Sequence, residues 1–505
     1  MARIVPSLEH ILGDEFIGES TDWSPQLATK LATSKRFLFD HVSSVDIALS
    51  SGVSPDLCIF LDPSDEQLRY NLGRRGQGID NLWDEEKRKN VMSELFHRSN
   101  RTEAHPIVAA SVADAVAKTT QHLGRLNALV PPVHSFVVKV AARCNLDCDY
   151  CYMYQGHDQS WKSDPLWMED SVIEALCSRI NEYSEANPTL ELSVVLHGGE
   201  PMAQSEGSLE SLLNKFFRIG EQSNQVTLGV QTNGTHITPR KLQLLDDYGF
   251  TIGISCDNPL QNKQLDRRLN HSGASLRAKT LEGIQQAVDF SWKQGAFGGV
   301  LCVIDERLNG EAVYRRFRDI GVKGIDFLMT GKTAPETSWA GNLDEVNASP
   351  FLLSAFNAWI DDSEPCNVPF FSSIVRMLVG HQWSTDVIGL YPPSILEVST
   401  RGDWQINHSL NLVLHSKPDT GLHVSNHSVE QVTNSDYWRT AHNRRYEFSE
   451  ECIQCKNFEI CGAGYITHRY KKENGFRNKS SRCDEIFTLI EQARNSLADL
   501  GIVMH

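Results

Sequence analysis

The chain has 505 residues, more than one ordinary hydrophobic core contains, so two or three domains are expected. Its formal net charge of -16 argues against a nucleic-acid partner, and no apolar run reaches the roughly 20 residues that a membrane span requires. The N-terminus has no signal-peptide pattern. Twelve cysteines in such a chain predict a cytoplasmic protein that uses them for metal ligation rather than for disulfides.

Residues 1–130 have no motif of known chemistry. The segments Asp84–Asn100 and Pro106–Gln121 predict helices, so we expect a mostly helical N-terminal region. Pro131 and Pro132 then mark a domain boundary, because paired prolines stop a helix and stiffen a linker.

From residue 134 onward, short apolar runs alternate with segments of helical periodicity. The predicted strands are His134–Ala141, Leu190–Leu196, Val226–Gln231, Phe250–Ser255, Gly299–Ile304 and Gly324–Met329. The predicted helices between them are Glu169–Tyr183, Ser208–Gly220, Pro239–Tyr248, Leu276–Lys293 and Glu311–Ile320. Strict alternation predicts an α/β fold with a parallel sheet, either a barrel of six β/α units or a doubly wound sheet.

Three cysteines, Cys144, Cys148 and Cys151, directly follow the first of these strands. Three thiols leave one over if a disulfide forms, and they are one ligand short of a closed tetrahedral zinc site. They suit a [4Fe-4S] cluster with one open iron atom. The alternatives are a degenerate zinc knuckle or three unrelated thiols.

Further polar residues stand at the carboxyl ends of later strands, where α/β folds build their sites. The run His197-Gly198-Gly199-Glu200-Pro201 follows the second strand, Ser255 and Asp257 end the fourth, and the run Asp266-Arg267-Arg268 comes shortly after. With the cysteine triplet, this order resembles the radical S-adenosylmethionine (SAM) superfamily. The resemblance implies a partial (β/α)6 barrel and reductive cleavage of SAM to a 5'-deoxyadenosyl radical.

The same resemblance assigns roles to several of these residues. Tyr150 matches the aromatic position that lies along the adenine of SAM, and Gly198, Gly199 and Glu200 match the loop that holds its amino group. Ser255 is a candidate for the ribose or carboxylate, and Arg268 for the carboxylate.

Four more cysteines lie near the C-terminus, namely Cys452, Cys455, Cys461 and Cys483. Their spacing alone fits either a second [4Fe-4S] cluster or a structural zinc site. The segment resembles the SPASM domain, an auxiliary-cluster module that follows radical SAM barrels. Residues 367–451 lack the cysteines of the full pattern, so we expect one auxiliary cluster, either for electron transfer or as a structural staple.

Two further runs resemble peptide maturases that form cyclophanes. They are Cys151–Tyr154 with Asp158–Trp161, and Gly462–Tyr470. The resemblance implies a carbon–carbon crosslink between an aromatic ring and a side-chain β-carbon of a ribosomal precursor peptide. A reductant such as flavodoxin or ferredoxin is implied as a second partner. Asp257, His468 and Tyr470 are candidates for the catalytic base, and a structural role is the alternative for each.

Other activities remain open. An anaerobic sulfatase-maturing enzyme, which oxidises cysteine or serine to formylglycine, shares this architecture, as do thioether-forming and epimerising enzymes. A zinc-bearing, non-catalytic peptide-binding protein is the alternative outside enzymes. The predicted domains are a helical region at 1–130 for precursor recognition or as a cap, the barrel at 131–345, and a SPASM-like domain at 346–505.

Overall fold

The computed structural model describes residues 57–61, 105–109, 132–155, 159–222, 226–329, 347–381, 385–390, 394–406, 408–410, 413 and 419–502. The chain divides into two compact units, Glu15–Leu129 and the remainder. In the first unit, strand β1 (Leu57–Leu61) pairs in parallel with β2 (His105–Ala109). The helix predicted at Pro106–Gln121 is therefore wrong over its first residues, where Ile107 and Val108 suit a strand. Its remainder, and the helix predicted at Asp84–Asn100, lie outside the described residues.

The second unit is built on one nine-stranded sheet. Its strands are β3 (Val133–Ala141), β4 (Leu192–Gly198), β5 (Val226–Thr232), β6 (Thr251–Ser255), β7 (Ala296–Val303), β8 (Ile325–Leu328), β9 (Ser394–Val398), β10 (Asp403–Gln405) and β11 (Asp419–His423). Their order is β11-β10-β9-β3-β4-β5-β6-β7-β8. Strands β3 to β8 are all parallel, which confirms the α/β fold and all six predicted strands.

The crossover helices also confirm the sequence prediction. They are α1 (Asp170–Ala186), α2 (Glu206–Gln222), α3 (Pro239–Asp247), α4 (Arg277–Asp289) and α5 (Gly310–Asp319). Local chemistry sets their starts: Thr238 caps α3 with Pro239 as its first residue, and Asn309 caps α5. The buried side chains of β3 to β8 and these helices belong to one hydrophobic core.

The sheet continues past the predicted barrel. Strand β9 pairs in parallel with β3, with Phe136 opposite Leu396, and β10 and β11 add antiparallel strands beyond it. The helices after β8 are α6 (Ser349–Ile360), α7 (Pro369–Leu378), α8 (Val429–Thr433), α9 (Asp436–Asn443), α10 (Glu450–Ile453), α11 (Phe458–Cys461) and α12 (Cys483–Asp499). Helix α6 packs on both α5 and α12, which joins the C-terminal segment to the barrel.

No helix in the described ranges combines the length and the apolar character that crossing a membrane requires.

Candidate active site

The three cysteines of the triplet lie together in a turn directly after β3. The Cys151 amide donates to the Cys148 carbonyl at 3.2 Å, and the Gln155 amide donates to the Cys151 carbonyl at 2.9 Å. The Leu146 amide points at the Cys144 sulfur, 3.4 Å away. The Cys148 thiol interacts electrostatically with both other thiols, so the fold brings the predicted ligands to one place.

Burial makes these thiols weaker acids than a free cysteine. It raises the pKa of Cys144 to about 11 and that of Cys148 to about 12. Cationic iron provides the charge that favours the thiolate form, and soft sulfur donors suit it. No three His, Cys, Asp or Glu side chains of the described residues converge as ligands of a single metal ion. A cubane cluster does not need that arrangement, since each cysteine binds a different iron atom.

The glycine-rich loop after β4 is fastened to the backbone that precedes Cys144. The Gly199 amide donates to the Ala141 carbonyl at 2.7 Å, and the Glu200 amide donates to the Arg143 carbonyl at 3.0 Å. A β-carbon built on Gly198, whose φ is 112°, lies 2.2 Å from the Ala141 oxygen, and one built on Gly199 lies 2.0 Å from the Arg143 oxygen. The sequence explanation, close approach to a ligand, is thus incomplete: these glycines also let two loops of the site meet.

The carboxylate of Glu200 is buried and tied to the end of β5. One oxygen accepts from the Met202 amide at 2.9 Å and the Thr232 hydroxyl at 2.6 Å, and the other accepts from the Asn233 amide at 2.7 Å. A carboxylate has about four acceptor sites, so these bonds leave room for about one more donor. Burial raises the pKa of Glu200, and a bound ammonium would favour its ionised form.

Tyr150, Asp257 and Arg268 form a partly buried polar network beside the cysteines. The Tyr150 hydroxyl donates to Asp257, and Arg268 donates to the Tyr150 hydroxyl at 3.0 Å. Asp257 also accepts from the Val303 amide at 3.1 Å, and burial raises its pKa. The Arg267 guanidinium lies 4.6 Å from the centre of the Tyr150 ring, so one face of this aromatic is already covered.

Arg268 places a second positive charge beside Arg267 in this site. Its guanidinium is 3.9 Å from an Asp257 oxygen and acts electrostatically on Cys148 and on Glu200. Its Nε is buried without a hydrogen-bond partner in the described part of the chain. That unused donor is suited to a carboxylate.

Ser255 faces the same side of the sheet as residues that the sequence analysis did not single out. Its hydroxyl accepts from the Gln231 side-chain amide at 2.9 Å. Further along this face, Lys139 of β3 forms a buried ion pair with Glu397 of β9 at 2.9 Å and donates to Gln405 of β10 at 2.7 Å. The sequence offered one sign of this ion pair, because Lys139 is a charged residue within the apolar run Phe136–Ala141.

The four C-terminal cysteines also meet. Cys452 lies in α10, Cys461 ends α11 and Cys483 begins α12. The Ser449 side chain caps α10 by accepting from the Cys452 amide, and the Cys455 amide donates to the Cys452 carbonyl at 3.0 Å. The Cys461 thiol interacts with the other three thiols, and burial raises its pKa to about 12. This donor set fits a cluster with no open iron atom.

Two candidate bases stand apart from Asp257. His468 is buried near Arg482, and burial lowers its pKa to about 3, so its ring is neutral. The Tyr470 ring packs on Phe476 with 5.2 Å between ring centres. Both lie in the C-terminal segment, and among the described contacts none brings either residue to Asp257. Of the three candidates, which the sequence analysis proposed separately, Asp257 is the one that acts electrostatically on the triplet.

Comparison with known proteins agrees with this geometry. Residues 138–307 match the Radical SAM superfamily, a span that contains the triplet, the glycine loop and the Arg268 network. The chain has the radical SAM fold. It is 21% identical over 379 residues to the cysteine-type anaerobic sulfatase-maturating enzyme of Clostridium perfringens, a match over 72% of this chain and 97% of that one. The serine-type enzyme of Klebsiella aerogenes is 27% identical over 45% of this chain and 54% of its own.

Several solved structures resemble the described fold at low sequence identity. Native anSMEcpe with bound AdoMet and Cp18Cys peptide superposes with a TM-score of 0.59 at 20% identity, covering 73% of this chain and 99% of that one. Streptococcus suis SuiB bound to precursor peptide SuiA gives a TM-score of 0.51 at 13% identity, covering 79% and 89%. The match of residues 138–307 to the Radical SAM superfamily is consistent with a [4Fe-4S] cluster and SAM, for which the triplet and the Glu200 loop are suited.

Proposed function

We propose that this chain is a radical SAM enzyme that oxidises one side chain of a peptide or protein substrate. The carrying observation is the join between the glycine loop and the cysteine loop, where Gly199 and Glu200 donate to the backbone on either side of residue 142. This join holds three thiols and a buried carboxylate in one small site. The similarity to peptide-bound relatives supports a peptide as the substrate class.

Each residue of the site has a part in this proposal. Cys144, Cys148 and Cys151 hold a cluster that, with SAM bound, supplies the radical that removes a substrate hydrogen. Glu200 accepts from the SAM ammonium with its remaining acceptor site, and the free Nε of Arg268 donates to the SAM carboxylate.

Tyr150, Ser255 and Asp257 complete the proposed SAM site. Tyr150 offers the ring face that Arg267 leaves uncovered to the adenine, and Ser255 donates to the ribose or the carboxylate. Asp257 fixes the Tyr150 hydroxyl and Arg268 in place, which is a positioning role rather than that of a base.

The chemistry common to the leading candidates is removal of a hydrogen from a side-chain β-carbon. The substrate gives one hydrogen atom to the deoxyadenosyl radical and then loses one proton and one electron. Formylglycine formation on a cysteine or serine is the first candidate, because the chain matches nearly the full length of the Clostridium perfringens sulfatase-maturating enzyme.

Cyclophane formation is the second candidate, and one observation favours it. The two parts of the first run that resembles cyclophane maturases are in contact, with 4.8 Å between the ring centres of Tyr154 and Trp161. Arg143, which precedes Cys144, holds Trp161: its guanidinium lies 5.2 Å from the Trp161 ring centre and donates to the Trp161 carbonyl at 2.6 Å. Both parts of this run therefore lie beside the cysteine loop.

Peptide mass spectrometry separates these candidates. The reconstituted enzyme, SAM and a strong reductant are incubated either with the Cp18Cys peptide or with a ribosomal precursor peptide that contains an aromatic motif. Formylglycine gives an aldehyde that a hydrazide reagent captures. Cyclophane formation lowers the peptide mass by two hydrogen atoms without producing an aldehyde, and tandem mass spectrometry yields no fragment ions from within the crosslinked ring. Deoxyadenosine formation with neither peptide altered, across a panel of such peptides, would contradict oxidation of a peptide side chain.

A further inference from the structure

Arg469 is a buried guanidinium in the segment between Cys461 and Cys483. It ends the 3-10 helix Ile466–Arg469 and is 2% exposed. Its Nη2 donates to the Arg445 carbonyl at 2.6 Å and its Nη1 donates to the Glu447 carbonyl at 3.4 Å. Its guanidinium carbon lies 5.4 Å from the centre of the Phe448 ring. Its Nε has no hydrogen-bond partner in the described part of the chain.

The charge of Arg469 lacks the compensation that the other deeply buried arginine of this segment has. Arg482 is 1% exposed, but it forms ion pairs with Glu306 at 2.8 Å and Glu485 at 3.0 Å. Among the described residues, no carboxylate lies within ion-pair distance of Arg469. A buried charge without a counter-ion costs several kcal/mol, so an anionic partner is expected nearby.

A cysteine is the strongest source of negative charge that acts on Arg469. Cys452 favours its protonated form more than Glu447 or Cys461 does, whereas Arg445, a second buried arginine, opposes its charge. Burial lowers the pKa of Arg469 to about 10, which leaves it protonated at neutral pH. As free thiols the cysteines are neutral, so they compensate Arg469 only when they are thiolates bound to a metal centre.

We propose that Arg469 is the counter-ion of an auxiliary cluster held by the four C-terminal cysteines, and that it raises the reduction potential of this cluster. A [4Fe-4S] cluster with four thiolates is a dianion when oxidised and a trianion when reduced. A fixed cation stabilises the trianion more, because Coulomb energy grows with charge and is weakly screened in the interior. This inference rests on the proposed function, which releases one electron from each oxidised substrate.

A raised reduction potential makes the auxiliary cluster a better acceptor for that electron. After the substrate has lost a hydrogen atom and a proton, its remaining electron moves to the group that Cys452, Cys455, Cys461 and Cys483 hold. Arg469 makes this transfer more favourable without touching the substrate. Arg469 therefore acts through the cluster, and its effect can be measured as a change in the reduction potential of the cluster even when no substrate is present.

The test is a redox titration followed by electron paramagnetic resonance. The full chain carries alanine at Cys144, Cys148 and Cys151, so that the C-terminal site alone binds iron. Arg469→Lys retains the charge and loses the forked hydrogen bonds, while Arg469→Gln retains a donor and loses the charge. Lys456→Gln is the matched control, because Lys456 neighbours Cys455 but its side chain is 62% exposed and paired with Glu491.

We expect Arg469→Gln to lower the midpoint potential clearly, Arg469→Lys to lie near the parent protein, and Lys456→Gln to change it little, because water screens its charge. An unchanged potential in Arg469→Gln, with full iron content, would overturn the inference and leave the proposed function standing. Should Arg469→Gln bind no iron, Arg445→Gln decides: it removes the adjacent buried charge, and an unchanged potential would again overturn the inference. A parent protein that binds no iron at the C-terminal site would instead refute the auxiliary cluster itself.

Discussion

The join between the glycine loop and the cysteine loop has no space for a methyl group at Gly199. A β-carbon there lies 2.0 Å from the Arg143 carbonyl oxygen and 2.5 Å from the Tyr154 hydroxyl, whereas real β-carbons essentially never come within 3.0 Å of such an atom. Gly199→Ala therefore forces the two backbones apart by about 1 Å. The hydrogen bond from the Glu200 amide to Arg143 stretches or breaks as a result.

The expected effect is larger on catalysis than on stability. Overpacking at one position costs about 1–3 kcal/mol. A displacement of about 1 Å between reacting groups costs about 100-fold in rate, and here it separates Glu200 from the cysteine turn. The assay is the rate of 5'-deoxyadenosine formation by the reconstituted enzyme at saturating SAM, together with urea unfolding of the same preparation.

Gly207 provides a matched control for the same chemical change. It lies near the start of α2, and a β-carbon built on it meets nothing within 4 Å. Gly207→Ala should keep the parental rate and should not lower the free energy of unfolding, since alanine is the better helix former. A Gly199→Ala protein with the parental rate and unfolding midpoint would refute the argument that this contact sets the site.

Three further predictions address the face of the sheet that Ser255 and Lys139 share, and the N-terminal region. Burial and the Asp386 carboxylate raise the pKa of Asp326 to about 6. The folded protein therefore keeps its full stability below about pH 4, where this carboxyl is protonated in both the folded and the unfolded state, and loses stability as pH rises through about 6. Asp326→Asn should match the parent in stability near pH 4 and exceed it above pH 6, by at most about 3 kcal/mol. Lys139→Met should lower the free energy of unfolding by about 3–5 kcal/mol, because it leaves Glu397 buried without its ion pair. Adding Glu397→Leu should restore most of this loss. If the single and the double variant unfold at the same urea concentration, a strong ion pair is excluded. Deleting residues 1–130 should weaken binding of a precursor peptide at least about tenfold by fluorescence anisotropy, and unchanged affinity would place recognition elsewhere.

The parallel strands and the helices between them were predictable because their signals are local. Each of the strands β3 to β8 is an apolar run, as buried parallel strands are, and each helix between them has its own periodicity and, at Thr238 and Asn309, its own cap. The two groups of cysteines were predictable for the same reason, since most members of each group lie in one short segment. The triplet spans eight residues of sequence.

Strand β9 was not predicted, because nothing in Ser394–Val398 identifies its partner. It pairs with β3 across some 260 residues of chain, with Phe136 opposite Leu396, and this register brings Glu397 to Lys139. A short run that contains a glutamate does not predict a central strand when read alone. The ion pair that makes the glutamate acceptable in the sheet exists only after the fold has formed.

The network around Arg268 shows the same limit within the site. Sequence analysis proposed Tyr150, Asp257 and Arg268 separately, for three different tasks. The structure joins them through hydrogen bonds between residues more than 100 positions apart. His468 and Tyr470 came from the same motif reasoning, and the structure gives them packing partners within the C-terminal segment. Long-range contacts, rather than residue type, decide which candidate residues lie beside the cysteine triplet and which lie within the C-terminal segment.

The central claim is that the cysteine triplet holds a cluster that cleaves SAM. Its most direct test is anaerobic reconstitution with iron and sulfide, followed by SAM and a strong reductant, with 5'-deoxyadenosine measured by mass spectrometry. We predict about eight iron atoms per chain and steady deoxyadenosine formation. Replacing Cys144, Cys148 and Cys151 with alanine should remove all activity and about half of the iron, whereas Cys177→Ala, a cysteine substitution on α1, should change neither. Zinc in place of iron with no deoxyadenosine, or undiminished deoxyadenosine in the triple variant, would contradict the account.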